Sequence, residues 1–419
     1  MNFPKFTLRL LMKFAGSAGV ALCLLAFWTL ATRSLGAPNT STVEWSDGHQ
    51  SFKFVLRGDV HFTEDDTDIK SLSPDGSLTI ERNNEKGRFR FEARPSKDQG
   101  IERVYSVDGK VQPWDTVGRK WLAQQLPDLI RESAIDAAQR IARIRRNKGE
   151  AAVLDYISLT HSDGAKRVYF QELFAAEPLT VETKRRAIRQ IADEIQSDGD
   201  KAAVLKDLAT HYLRVDDLRP SFFAAEQSIH SDGDQSSVLG YVLKEDDEAA
   251  NVKCVIESAA TISSDGDKSS VMVKAIGFSA RNEPLQIACL ESADTIHSDG
   301  DHERVLAALL RNDIASDKVF CRAFSSAARI SSDGDKSHFL CAAAGKAPTG
   351  QPVFESFLDA ARTIHSDGDK AHVLINWIKR EEQPEGALAR IRTVAEEEIH
   401  SEGDRRQVEK LVQQRQDSR

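Results

Sequence analysis

Hydrophobic and polar positions change their period several times along this chain. From 14 to 32 the sequence carries no charge and is rich in Ala, Leu, Phe and Gly. From Trp45 to Val111 apolar residues alternate with polar ones: Phe52, Phe54 and Leu56, then Val60 and Phe62, Leu78 and Ile80, Phe89 and Phe91, Tyr105 and Val107. A period of two belongs to strands with one buried face. Pro74-Asp75-Gly76, Asn83-Asn84-Glu85-Lys86-Gly87 and Asp108-Gly109 supply the turns between them. The pattern predicts a small antiparallel meander of about five or six strands over 45–112, with one face wet because several alternate positions are charged.

Near Asp115 the period lengthens to three and four. Trp121, Leu122, Leu126, Leu129 and Ile130 mark a helix in which Pro127 predicts a kink or break. Amphipathic stretches follow at Ala134–Arg146 and Glu150–Leu159. Together they are expected to form N-terminal capping helices over 113–163, because the end of a repeat stack must shield its core from water.

The remainder is a repeat. Ser-Asp-Gly-Asp-Lys or a close variant recurs with its glycine at Gly164, Gly199, Gly233, Gly266, Gly300, Gly334, Gly368 and Gly403, in steps of 35, 34, 33, 34, 34, 34 and 35 residues. Self-similarity at such a period marks a stacked-repeat protein. Each unit reads as a helical hairpin. The first helix starts at the motif and carries an apolar pair, from Val204 and Leu205 to Val373 and Leu374. The second ends at the next motif, four residues before whose glycine stands Ile195, Ile229, Ile262, Ile296, Ile330, Ile364 or Ile399. Ala192, Ala225, Ala259, Ala293, Ala327, Ala360 and Ala395 are small enough to let neighbouring helices approach closely. The expected fold class is mainly α: an α-solenoid of about seven 34-residue hairpins over 164–419, ending in a half-repeat cap that Gly403 opens. The β meander and one N-terminal transmembrane helix precede it.

Two chemistries compete for the motif. Its serine is suited to cap a helix, its second aspartate to complete a capping box, and both aspartates to face the positive end of the helix dipole. The rival is calcium, which needs six to eight oxygens from a longer loop. Against it, only two carboxylates lie together, lysine follows at once in several copies, and Ala165 stands where Asp200 and its equivalents do. His161, His230, His297, His365 and His400 recur three residues before the glycine. Repeats about 10 Å apart cannot share a metal whose bonds to nitrogen are about 2 Å, so these read as histidines in the last turn of a helix, favourable to its dipole, with a pH-sensitive ladder as the alternative.

No catalytic, cofactor-binding or metal-binding residue is assigned, and the chain is expected to be no enzyme. It contains no His-Glu-x-x-His, Gly-x-Ser-x-Gly, phosphate loop or dinucleotide motif; Arg304-Val305-Leu306 after His302-Glu303 breaks the zincin pattern. Glu64, Asp65, Asp66 and Asp68 read as a solvated turn before a metal site. Cys254, Cys289, Cys321 and Cys341 lack metal or redox spacing and read as core residues, a disulfide being the alternative in an exported chain. A net charge of -9 argues against a nucleic-acid partner.

Lys5, Arg9 and Lys13 precede the apolar segment 14–32, which approaches the length of a bilayer core. They place residues 1–13 in the cytoplasm, make 14–32 an anchor and 33–44 a linker, and put the bulk of the chain outside the inner membrane. A cleaved signal peptide with Ser34-Leu35-Gly36 as the small-residue site is the alternative.

The run Asp65-Asp66-Thr67-Asp68-Ile69-Lys70-Ser71-Leu72-Ser73-Pro74, with Val107-Asp108-Gly109 and Trp121-Leu122, resembles exported bacterial proteins of unassigned function. It is also similar to the extracytoplasmic C-terminal region of BlaR/MecR-type antirepressor membrane metallopeptidases, in which a β segment precedes HEAT-like helical repeats. The resemblance covers nearly everything after Trp45. The family's membrane-embedded zinc peptidase has no counterpart in this sequence, so no catalytic residue carries over, and relatives often bear a bulky residue where this motif has glycine. The resemblance and the repeats imply a membrane-anchored periplasmic scaffold or sensor arm that binds a protein partner in envelope signalling. The alternatives are a regulatory subunit of an antirepressor or metallopeptidase pathway, and a calcium-stabilised structural repeat. Trp377 and the loops between paired helices are the contact residues expected.

Overall fold

The computed structural model describes residues 40–46, 50–98, 100–215 and 217–417. The expected cytoplasmic residues 1–13, the apolar segment 14–32 and the first part of the 33–44 linker lie outside them. Among the described residues no helix is long and apolar enough to cross a membrane. The described chain is mainly helical, with a small antiparallel sheet towards its N-terminus, and divides into two compact units, one ending at Asp136 and taking in Thr160–Ala165, the other comprising Ala137–Leu159 and everything from Lys166.

In the first unit the strands are β1 (Thr40–Ser46), β2 (Ser51–Arg57), β3 (Val60–Phe62), β4 (Ile69–Leu72), β5 (Ser77–Asn84), β6 (Gly87–Pro95), β7 (Ile101–Val107) and β8 (Lys110–Gln112). Six of them form one sheet in the order β1-β2-β5-β6-β7-β8, and β3 pairs with β4 separately. The register aligns Phe54, Ile80, Phe91 and Tyr105 across four strands, and Leu56, Leu78 and Ala93 beside them. All seven are buried. The alternate positions carry the ion pairs Arg90–Glu81, Arg90–Glu92 and Arg94–Glu102 on the solvated face. The small antiparallel sheet is as expected, but Val60–Phe62 lies outside it, paired with Ile69–Leu72, and β1 starts at Thr40, inside the stretch read as linker. Its Thr-Ser-Thr-Val run offers β-branched residues without apolar alternation, and pairing with β2 along its whole length makes it a strand.

The helix Arg119–Ser133 lays Leu122, Leu126 and Ile130 into the same core as the sheet. It therefore belongs to the β unit, and not with the repeat-capping helices among which its sequence neighbours place it. Pro127 does not break it. Leu122 and Leu126 before the proline and Ile130 after it are all wholly buried. Gly118, just ahead, is needed for close approach, since a Cβ there would lie 2.9 Å from the Cβ of Tyr105.

In the second unit Ala137–Lys148 and Glu150–Ser158 precede seven helix pairs and a closing helix. The motif helices are Asp163–Ala175, Asp198–Tyr212, Asp232–Glu245, Asp265–Gly277, Asp299–Leu310, Asp333–Ala344 and Asp367–Ile378, closed by Glu402–Asp417. The return helices are Val181–Glu194, Arg219–Glu226, Ala249–Ala259, Glu283–Ala293, Asp317–Ala327, Gln351–Arg362 and Ala387–Glu398. From Asp198 onward each motif helix packs on the next motif helix, and from Val181 each return helix on the next return helix. The recurrent isoleucines and apolar pairs are buried between them, as are the seven recurrent alanines other than the partly exposed Ala192.

Candidate interaction surface

The motif occupies the N-terminus of each motif helix. Ser197, Ser231, Ser264, Ser298, Ser332 and Ser366 are N-caps, each accepting the N–H of the residue three later, Asp200 to Asp369, at 3.3–3.4 Å. This is the capping role that the sequence predicts.

The first aspartate does something the sequence did not suggest. Its carboxylate accepts two backbone N–H groups from the next copy of the motif. Asp265 takes those of His297 at 3.1 Å and Ser298 at 2.8 Å. Asp299 takes those of Ser331 and Ser332, and Asp333 those of His365 and Ser366. Asp198, Asp232 and Asp367 do the same. At the head of the series Glu132 substitutes for the aspartate, accepting the N–H groups of His161 and Ser162 at 2.9 Å. A carboxylate accepting two backbone donors is the stronger, charge-assisted kind of hydrogen bond. Backbone donation from Ser401 holds the Asp367 carboxyl below its ordinary value of 3.8.

The residue at the lysine position links repeats in the same direction. Lys201 donates to the carbonyl and hydroxyl of Ser228 and to the Ala192 carbonyl, Lys268 to the Thr295 hydroxyl at 3.0 Å, Lys336 to the Thr363 carbonyl at 3.0 Å, and Lys370 to Glu398 at 2.9 Å. These four lysines are buried. Each ammonium sits among oxygens at the C-terminal end of a return helix, where the dipole favours a cation. Motif acid and lysine are therefore both spent inside the stack.

The glycine is spent on nothing. A Cβ at Gly199, Gly233, Gly266, Gly300, Gly368 or Gly403 would meet nothing within 4 Å, and none of these has a left-handed backbone. A larger side chain at this position would meet no steric objection.

The histidines fall elsewhere than expected. His230, His297 and His365 lie in the link just before the N-cap serine, not in the last turn of the return helix, and are 90–92% exposed. The return helix stops short because its final residues turn to present backbone N–H groups to the preceding aspartate. Among the described residues no group of three or more His, Cys, Asp or Glu is arranged to hold a metal ion.

His302 takes the lysine position in its repeat and is buried, with its imidazole 2.8 Å from the Ser326 hydroxyl, which also donates to Asp294 at 2.5 Å. Serine, histidine and aspartate thus meet, but the aspartate orients the serine, and that serine is wholly buried. A nucleophilic triad needs the acid on the histidine and an accessible hydroxyl, so this is another inter-repeat bond. The acidic cluster is a hairpin turn: Asp65 accepts from the Thr63 hydroxyl, which holds its carboxyl low, and Asp68 pairs with Arg103 at 3.0 Å. The four described cysteines are free thiols, and burial pushes that of Cys289 up to about 12. Trp377, an expected contact residue, is wholly buried, its ring tilted 30° to that of Phe357 with centroids 4.2 Å apart and covered by Arg380.

What remains open is the outer face of the return helices. A groove of 570 Å³ runs between Ala249–Ala259 and Glu283–Ala293. Ile256, Ala260, Ile287 and Ala288 form its apolar floor, and the ion pairs Lys253–Glu257 (3.7 Å) and Lys318–Glu283 (3.1 Å) stand on its rim. Its position in the repeat varies in kind: thirteen residues before the motif glycine stand Lys253, Ile287, Cys321, Glu355 and Arg390 in turn.

No known protein family matches the chain, nor does any curated protein or any solved structure.

Proposed function

We propose that this chain is a non-catalytic α-solenoid scaffold, anchored in the inner membrane by 14–32, whose periplasmic bulk binds a protein partner along the outer face of its return helices. The observation that carries the reading is the direction of the motif's polar bonds. Recurrent residues close on neighbouring repeats, so selection among partners falls to the residues that do not recur, such as the series from Lys253 to Arg390. An apolar floor with a charged rim is the usual anatomy of a modest protein-binding surface. The resemblance to the extracytoplasmic region of antirepressor metallopeptidases supports a second reading, a regulatory subunit of such a pathway, by analogy alone.

The test places a photoreactive amino acid at Ala288 in the groove or at His297 on the motif edge, in the full chain and in cells. Specific adducts from Ala288 and none from His297 are expected. Identical adducts from both positions, or none from Ala288, would overturn the assignment. A reporter fused after Arg419 should be active only outside the cytoplasm.

A further inference from the structure

One joint between repeats is built differently from the others. Five motifs place a buried lysine two residues after the glycine (Lys166, Lys201, Lys268, Lys336 and Lys370) and the motif at Gly300 a buried histidine, but the motif at Gly233 has Gln235 there. Seven residues before that glycine stands Glu226, where Ala192, Ala259, Ala293, Ala327 and Ala361 occupy the corresponding place and the last repeat has the exposed Glu396. The cation is missing and an acid has been added. The return helix that ends at Glu226 has 8 residues against 11–14 in the other six, and the step to the following motif glycine is 33, the shortest in the chain.

Glu226 is wholly buried. One carboxyl oxygen accepts the hydroxyl of Ser258, from the next return helix. The other is buried with no hydrogen-bond partner in the protein, while the Gln235 amide acts on the group from the motif helix. The charged groups on the surrounding elements are bound elsewhere. Lys201 holds the Ala192 and Ser228 carbonyls, Arg219 pairs with Asn251 and Glu248, Arg189 with Glu182, Glu194 with Lys166, Lys253 with Glu257, and Asp232 with the Ser263 and Ser264 amides. An ionised carboxylate enclosed by neutral groups is costly, and the donations from Ser258 and Gln235, which favour the ionised form, offset that burial only in part.

We propose that the joint between Arg219–Glu226 and Ala249–Ala259 is a proton-operated hinge, closed while Glu226 is protonated and loosened when it ionises. Burial raises its carboxyl from 4.5 to about 7. The sign follows: a folded-state value above the unfolded one stabilises the joint fully below 4.5, and this is lost as pH rises towards 7. The helix that carries Ser258 also supplies Lys253, Ile256, Glu257 and Ala260 to the groove, so one wall of the groove moves with the hinge. The hinge itself does not depend on the groove being a binding site.

Amide hydrogen exchange of the full chain at pH 5.5 and 8.5 tests this without a partner. Protection across 219–226 and 249–259, taken relative to Glu226→Gln to cancel intrinsic rates, should fall roughly tenfold or more at the higher pH. Gln235→Lys supplies the lysine that five other motifs carry at this position and should flatten the same dependence. Parallel pH profiles in wild type and Glu226→Gln would overturn the proposal. So would an undiminished dependence in Gln235→Lys, which also serves if Glu226→Gln fails to fold.

Discussion

The carboxylate of Asp299 accepts the backbone N–H of Ser332, 2.8 Å away and thirty-three residues further along the chain. Asp299 opens one motif helix and Ser332 caps the next. The same pair recurs down the stack, so the motif is a chain of links as much as a row of helix starts. Each copy caps its own helix through serine, holds the next copy through aspartate, and, where lysine follows, reaches the end of a return helix.

The glycine of the motif is dispensable. Gly300→Ala, whose Cβ would meet open space in a helical backbone, should stabilise the chain by about 0.5–1 kcal/mol by lowering the entropy of the unfolded state. Thermal unfolding of the single variant, and of a combination with Gly266→Ala and Gly368→Ala, checks it. A destabilised Gly300→Ala would show that the glycine has a role in the fold.

The buried lysines are structural. Lys336→Met removes the donor to the Thr363 carbonyl while keeping most of the buried stem, and should cost roughly 1–3 kcal/mol in urea unfolding. Burial lowers the Lys336 ammonium from its ordinary 10.5. A depressed folded-state value weakens the fold at lower pH, so the wild-type joint should firm slightly as pH rises towards 10.5 and the methionine variant should not.

Acid should loosen the last repeats. The Asp367 carboxyl lies below 3.8 because Ser401 and His400 donate to it. A depressed carboxyl contributes stability above its unfolded value and loses it as pH falls through the folded one. Fluorescence of Trp377, buried in the same repeat, should report this loosening below pH 3.8, earlier in the titration for Ser401→Pro, which deletes the donor, than for wild type. Coincident titrations in both proteins would contradict the link.

Much of the architecture was readable because period speaks for it. Seven helix pairs, the closing helix and the serine caps follow from the spacing of glycine, isoleucine and serine. The bond from Asp299 to Ser332 was not readable, because a carboxylate at a helix start is already explained by its own dipole, and nothing local shows the second donor. The lysines were not readable either: beside two aspartates they spoke only against a calcium site, yet they fold inward onto return-helix ends. β1 was missed because an edge strand of threonines lacks apolar alternation. Trp377 was misplaced because one aromatic in a variable stretch looks like a contact, and only packing on Phe354 and Phe357 shows that it is core.

The most direct test of the motif as a link between repeats is site-resolved hydrogen exchange in Asp299→Ala. The amides of Ser331 and Ser332, whose acceptor is Asp299, should exchange about tenfold faster or more, with global stability lower by roughly 1–3 kcal/mol. Losses confined to the variant's own helix, Asp299–Leu310, with Ser331 and Ser332 still protected, would contradict the account.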